Sequence, residues 1–182
     1  LVEGGVDFFL LETMASLDQA RAALQAVRAV SDRPVAVSLT FNDEGVTAYG
    51  ESPEAVVAAL EELGVAVIGA NCSQGPAAML ETVKRMAAAA KSARLLAMPN
   101  AGAPALVEGR YVYLCTPEYM ATWARRFLEA GATAVGGCCG TTPAHIRDLV
   151  RSVRMFQPGR AEVKVLAEAE GAAEAMVGFC LG

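Results

Sequence analysis

Cys72, in Ala70-Asn71-Cys72-Ser73, and the vicinal pair Cys138 and Cys139, in Gly136-Gly137-Cys138-Cys139-Gly140-Thr141-Thr142-Pro143, are the residues of this sequence best suited to chemistry. Each follows a short apolar run that reads as a β-strand, so each stands where a strand gives way to a loop. Three thiolates gathered at one strand-end surface make a zinc site with a vacant fourth position, which suits a metal that holds a substrate rather than a fold. Zinc in that setting accepts a fourth sulfur and lowers the pKa of that thiol, so that it binds as a nucleophilic thiolate at neutral pH. Adjacent cysteines face one ion only if the backbone turns there, and Gly136, Gly137 and Gly140 supply that freedom. Spacing alone leaves a second reading open, since a vicinal pair with one distant cysteine is not a CxxC pair and buried cysteines also serve as small hydrophobes.

The elements that must position these residues alternate along the chain. Asp7 to Thr13 reads as a strand, followed by a helical pattern from about Ser16 to Val30 with apolar positions at Leu17, Ala20, Leu24 and Val27. Pro34 to Thr40 is the next strand, then a polar loop and a helix opened by Ser52-Pro53-Glu54, a cap followed by a pre-set first helical residue, and ending near Leu63. Val65 to Cys72 precedes a helix from Gly75-Pro76 to about Ala90. Arg94 to Met98 leads into a long loop through Pro99-Asn100-Ala101-Gly102 and Gly109-Arg110-Tyr111, then a helix from Thr116-Pro117-Glu118 to about Ala130. Ala134 to Gly137 is the last strand, and a helix runs from Thr142-Pro143 to about Val153.

Five βα units in series predict a parallel sheet with helices packed outside it. A (β/α) barrel and a doubly wound sheet both have this pattern, and periodicity does not separate them. A complete eight-unit barrel needs about 250 residues, so on the barrel reading these are the last five units, the first three falling before Leu1. Residues 1–155 form that partial barrel domain, and 156–182, Ala/Glu-rich after Gln157-Pro158-Gly159-Arg160, read as a linker or the start of a following module.

In parallel α/β folds catalytic groups collect at the carboxyl ends of strands. Those positions hold Glu12-Thr13, Ser38 to Thr40, Asn71-Cys72, Pro99-Asn100 and Cys138-Cys139, so a carboxylate, an amide and three thiols could converge on one cleft. Glu12 at a barrel rim could hold an ammonium, or be a solvated loop acid. His145, the only histidine, reads as a helix-surface side chain, and without a second histidine a His-based triad or His-ligated metal is hard to build. Cys115 and Cys180 read as unliganded. No GxGxxG follows a strand and no Walker pattern occurs, so nucleotide binding has little support.

Composition narrows the class. The 182 residues are 54% hydrophobic with a net charge of -5, and no Lys/Arg stripe interleaved with aromatics offers a footing for nucleic acid. Every apolar stretch is interrupted by charge well short of the roughly 18 residues a membrane span requires. Five cysteines without a signal-peptide pattern argue for a reducing compartment, the cytoplasm by default.

Gly136 to Arg147, with Asn71-Cys72 upstream, resembles the homocysteine S-methyltransferase family, which includes the homocysteine module of cobalamin-dependent methionine synthase and the betaine and S-methylmethionine enzymes. The resemblance runs from about Val2 to Val153. It implies a (β/α)8 TIM barrel in which Cys72, Cys138 and Cys139 hold Zn²⁺, with the homocysteine sulfur as fourth ligand. Asp7 to Thr13 resembles the family strand whose Glu binds the homocysteine ammonium, which gives Glu12 that role, with Asn71 as a supporting substrate-side residue. Pro99 to Gly102, Gly109 to Leu114 and Thr116 to Tyr119 are similar to the bacterial bifunctional proteins that join this barrel to a methylenetetrahydrofolate reductase module. The family's N-terminal Asp-Gly-rich loop has no counterpart in this stretch of sequence.

The activity so implied is methyl transfer to the thiolate of homocysteine, giving methionine. Three other readings stay open: the homocysteine-binding module of a cobalamin-dependent methionine synthase, a non-catalytic structural zinc or redox-cysteine module, and a related acceptor such as selenocysteine or selenohomocysteine. The methyl donor is not legible, because methylcobalamin, methyltetrahydrofolate, S-methylmethionine and S-adenosylmethionine all fit one acceptor barrel.

Overall fold

A computed structural model describes residues 1–154. The segment 156–182 and Cys180 lie outside the described residues. Strand β1 (Phe9–Met14), helix α1 (Leu17–Arg28), β2 (Val35–Leu39), α2 (Pro53–Glu62), β3 (Val67–Asn71), α3 (Pro76–Ala89) and β4 (Arg94–Met98) follow one another as βα units. A hairpin of β5 (Pro104–Val107) and β6 (Arg110–Tyr113) intervenes before α4 (Pro117–Glu129), β7 (Ala132–Val135) and α5 (Pro143–Arg154).

The helix starts follow from their first residues. Ser16, Ser52 and Thr116 each accept a hydrogen bond from the backbone N–H three residues on, and Pro53, Pro76 and Pro117 occupy first-turn positions where no N–H is needed. α1 and α4 bury one stripe each, Ala20 and Leu24 in the first and Met120, Ala124 and Phe127 in the second.

β1, β2, β3, β4 and β7 form one parallel sheet in that order. Each strand lies beside its predecessor in the sheet, with no point at which the order reverses. A doubly wound sheet requires such a reversal, and this five-strand parallel sheet has none. The inner strands β2, β3 and β4 are buried on both faces, as covered parallel strands must be: Val37, Leu39 and Ile68 pack with Leu24, Val56, Leu60, Met79, Met86 and Phe127. No helix among the described residues is long and apolar enough to cross a membrane.

One element departs from expectation. The segment after β4 is a two-stranded antiparallel hairpin, Pro104 facing Tyr113 and Val107 facing Arg110, rather than a long loop. Its turn residues Glu108 and Gly109 have φ of 49° and 77°, the left-handed pair that matches the twist of a two-residue hairpin. Leu106, Tyr111 and Leu114 stand exposed on or beside it.

Candidate metal centre

Parallel alignment brings the carboxyl ends of β1, β3, β4 and β7 to one side of the sheet, and the three cysteines leave from there. Cys72 follows the last residue of β3, its N–H donating to the Met98 carbonyl at 3.2 Å. It has φ of 60° and Ser73 has φ of 55°, two successive left-handed residues without glycine, an unfavourable geometry that needs surrounding support. After β7, the Cys138 N–H donates to the Pro99 carbonyl at 2.8 Å and the chain turns back, Thr141 N–H donating to the Cys138 carbonyl at 3.0 Å. The turn completes at Gly140, with φ of 80°.

The three sulfurs lie within 4.8 Å of one another. Cys72 and Cys139 Sγ are 3.7 Å apart; tetrahedral zinc with Zn–S of about 2.3 Å places its sulfurs ~3.8 Å apart. The donor set fits a soft or borderline cation, with room for one ligand beyond the three thiols. Burial pushes the Cys138 thiol up to about 12, against a smaller lowering from the Asn71 amide.

Asn71 is fully buried and joins four strand ends. Its Oδ1 accepts from the Ser38 hydroxyl at 2.7 Å and from the Thr13 N–H at 2.9 Å. Its Nδ2 donates to Thr13 Oγ1 at 2.7 Å and lies 3.8 Å from Cys138 Sγ. Thr13 can meet it because the β1–β2 register shifts between Leu11 and Met14, leaving Thr13 at φ of 62°. Glu12 sits in the same irregularity, exposed, and its carboxylate makes no hydrogen bond or ion pair with any of the described residues.

Two residues at the site have no role assigned by the sequence: Asn100, which it places only at a strand end, and Tyr113. Asn100, buried, accepts the Cys139 N–H at 3.2 Å, while the next residue, Ala101, donates its N–H to the Cys139 carbonyl at 2.8 Å. Both peptide groups of Cys139 are thereby held by the loop after β4. Tyr113, at the end of β6, packs on Gly140 so closely that a Cβ there would lie 2.3 Å from its ring. Burial, and then the neighbouring Cys139 sulfur, push the Tyr113 phenol upward. Asn100 follows a strand and was visible as polar; Tyr113 became visible only once the hairpin folded.

His145 is not on the surface of α5 but 7% exposed. It bonds the Thr142 backbone and the Cys115 carbonyl, because the start of α5 is packed under the segment joining β6 to α4. Cys115 is a free thiol that burial pushes up.

Residues 1–153 match the family described as homocysteine S-methyltransferase. A methionine synthase of Mycobacterium leprae is 38% identical over 167 residues, covering 87% of this chain and 14% of that protein. A methionine synthase of Mycobacterium tuberculosis is 38% identical over 159 residues, covering 84% of this chain and 13% of that protein. The chain thus spans a small fraction of the length of these relatives. Among solved structures, the apo form of the homocysteine methyltransferase MmuM of Escherichia coli superposes with a TM-score of 0.66 at 23% identity, over 83% of this chain and 51% of that one; this likeness bears on the fold. With one family matching almost all the described residues, the chain belongs to the homocysteine S-methyltransferase family.

Proposed function

We propose that this chain is the homocysteine-activating part of a methyltransferase, and that Cys72, Cys138 and Cys139 hold Zn²⁺ at the strand ends of a (β/α)8 barrel. The observation that carries the reading is the convergence of three sulfurs, two of them 67 positions apart in sequence, within 4.8 Å. Zinc, when bound there, supplies a seat for the substrate sulfur and the charge that keeps it a thiolate at neutral pH. The protein orients that seat: Asn71 fixes the end of β3 against Thr13 and borders Cys138, and Asn100 with Ala101 fixes Cys139. Glu12, exposed and without a competing partner, binds the homocysteine ammonium, so that both ends of the amino acid are held and the sulfur is aimed outward. The unreversed strand order and the MmuM likeness support barrel closure. Clustered free thiols suit a reducing, cytoplasmic setting.

The identity to two methionine synthases favours a narrower second form of this reading, in which the methyl group is presented by another module of a longer protein. Methylcobalamin and methyltetrahydrofolate are donors of that kind. X-ray absorption at the zinc edge of the full chain tests the common core: the expected result is three sulfurs around zinc without homocysteine and four with it. An unchanged sulfur count would leave a closed, structural site and overturn the proposal.

A further inference from the structure

The strongest feature outside the ligands is a closed circuit of hydrogen bonds around the turn that carries Cys139. Thr142 N–H can only donate, so His145 Nδ1, 3.2 Å away, accepts; the Thr142 hydroxyl lies 2.8 Å from the same nitrogen. The Cys115 carbonyl can only accept, so Nε2, 2.8 Å away, carries the proton. Both partners are thus satisfied by one neutral tautomer. The Cys115 N–H donates to the Ala101 carbonyl at 3.0 Å, and the Ala101 N–H donates to the Cys139 carbonyl at 2.8 Å. Cys139 is joined through Gly140 and Thr141 back to Thr142, which completes the loop.

Every link in that circuit is backbone except His145. It is therefore the one link that a side-chain change removes, and the residues on either side of it are a cysteine pair and the hairpin end that bears Tyr113. His145 also stands three residues after Thr142, the position from which a side chain reaches back to the N–H of the residue capping a helix. A carboxylate, which only accepts, would make that capping bond alone. Only a group with an acceptor on one side and a donor on the other makes both.

We propose that His145 is a positioning residue of the cysteine centre: its imidazole ties the start of α5 to Cys115 and thereby sets where Cys139 stands relative to Cys72 and Cys138. This rests on the reading of the three cysteines as a metal centre. The bond to Cys115 is the working part, and the cap on α5 is incidental to it. Loss of such a support around a metal ligand costs roughly ten- to a hundredfold in metal affinity.

Cobalt(II), whose visible bands report thiolate geometry, is the probe, with the full chain and chelator competition for affinity. His145→Ala is expected to weaken cobalt binding at least about tenfold and to shift the bands. Leu149→Ala, an equally buried change on the same helix, should lower the thermal midpoint and leave the bands in place. His145→Glu, which keeps the capping bond but cannot donate to the Cys115 carbonyl, should recover thermal stability but not affinity. The proposal is overturned if His145→Ala binds cobalt within twofold of the parent with the same bands, if Leu149→Ala weakens binding as much, or if His145→Glu restores affinity. A parent chain that takes up cobalt without thiolate bands overturns the metal reading itself, and this proposal with it.

Discussion

Cys72 Sγ and Cys139 Sγ stand 3.7 Å apart across the gap between the ends of β3 and β7, although β4 lies between those strands in the sheet. Neither strand places them there alone. The chain leaving β3 turns left-handed at Cys72 and Ser73 and bonds Met98 at the end of β4, and the chain leaving β7 bonds Pro99 just beyond it. On the metal reading, replacing Cys138 by Ala leaves two sulfurs. Zinc retention and turnover in the full chain should both be lost, as measured by bound zinc after gel filtration and by methionine formation. Full activity of a metal-free Cys138→Ala variant would refute the role of the site.

Asn71→Ala should be a costly single change. It leaves the buried Ser38 hydroxyl without its partner, an orphan that costs about 1–3 kcal/mol, and removes two further bonds to Thr13, whose groups lie on an exposed residue. A loss of about 2–4 kcal/mol is expected from urea unfolding, together with weaker metal retention. A change below about 1 kcal/mol would mean that water replaces the amide without loss.

Gly140→Ala tests the contact with Tyr113. The new methyl would meet the Tyr113 ring at 2.3 Å, on a backbone with φ of 80°. The left-handed conformation alone costs about 1–2 kcal/mol for a residue with a Cβ, so a total above ~2 kcal/mol is expected. Pairing it with Tyr113→Gly should recover part of the loss, because the backbone term remains and the ring contact does not.

Glu12→Gln separates substrate capture from chemistry. A charge-assisted bond to an ammonium is worth about 1.5–3 kcal/mol, so KM for homocysteine should rise roughly ten- to a hundredfold with kcat changed much less. Equal KM values for the variant and the parent would return Glu12 to the role of a solvated acid.

Acid should weaken the fold through two carboxylates that are not part of the cysteine cluster. Arg85, bonding both oxygens of Glu54 at 2.7 and 2.8 Å, holds that carboxyl down to about 2. The backbone N–H groups of Ala93, Ser92 and Lys91 hold Glu61 down to about 2. Both values are depressed on folding, so the stability they contribute is complete above about 4.5 and is lost as pH falls from there toward 2. Glu54→Gln and Glu61→Gln should each flatten that part of the stability–pH curve, read from thermal midpoints. Since the Glu54 and Arg85 side chains are 43% and 40% exposed, solvent screening keeps the first effect at or below about 1 kcal/mol.

Much of the architecture was legible because it is written in local rules. Ser52-Pro53 and Thr116-Pro117 announced helix starts, and α2 and α4 begin there. The hairpin was missed although Glu108-Gly109 between Pro-Ala-Leu-Val and Arg-Tyr-Val-Tyr is a turn signal. Its strands are four residues each and one begins with proline, so the periodic pattern was too short to stand out. His145 was misplaced for a different reason: its burial comes from the segment after β6 packing over the start of α5, which no local pattern encodes.

The sequence by itself determined the alternation of strands and helices, the thiols available and the strand ends at which they occur. Those follow from hydrophobic period, capping residues and motif, all properties of a few neighbouring residues. Only the tertiary structure decided that the sheet winds without reversal, that Asn71 bonds Thr13 and Ser38, and that Asn100 holds the peptide of Cys139. Sulfur-to-sulfur distance is a sum over register, strand order and two left-handed turns, so it is fixed by contacts between segments far apart in the chain rather than by the segments themselves.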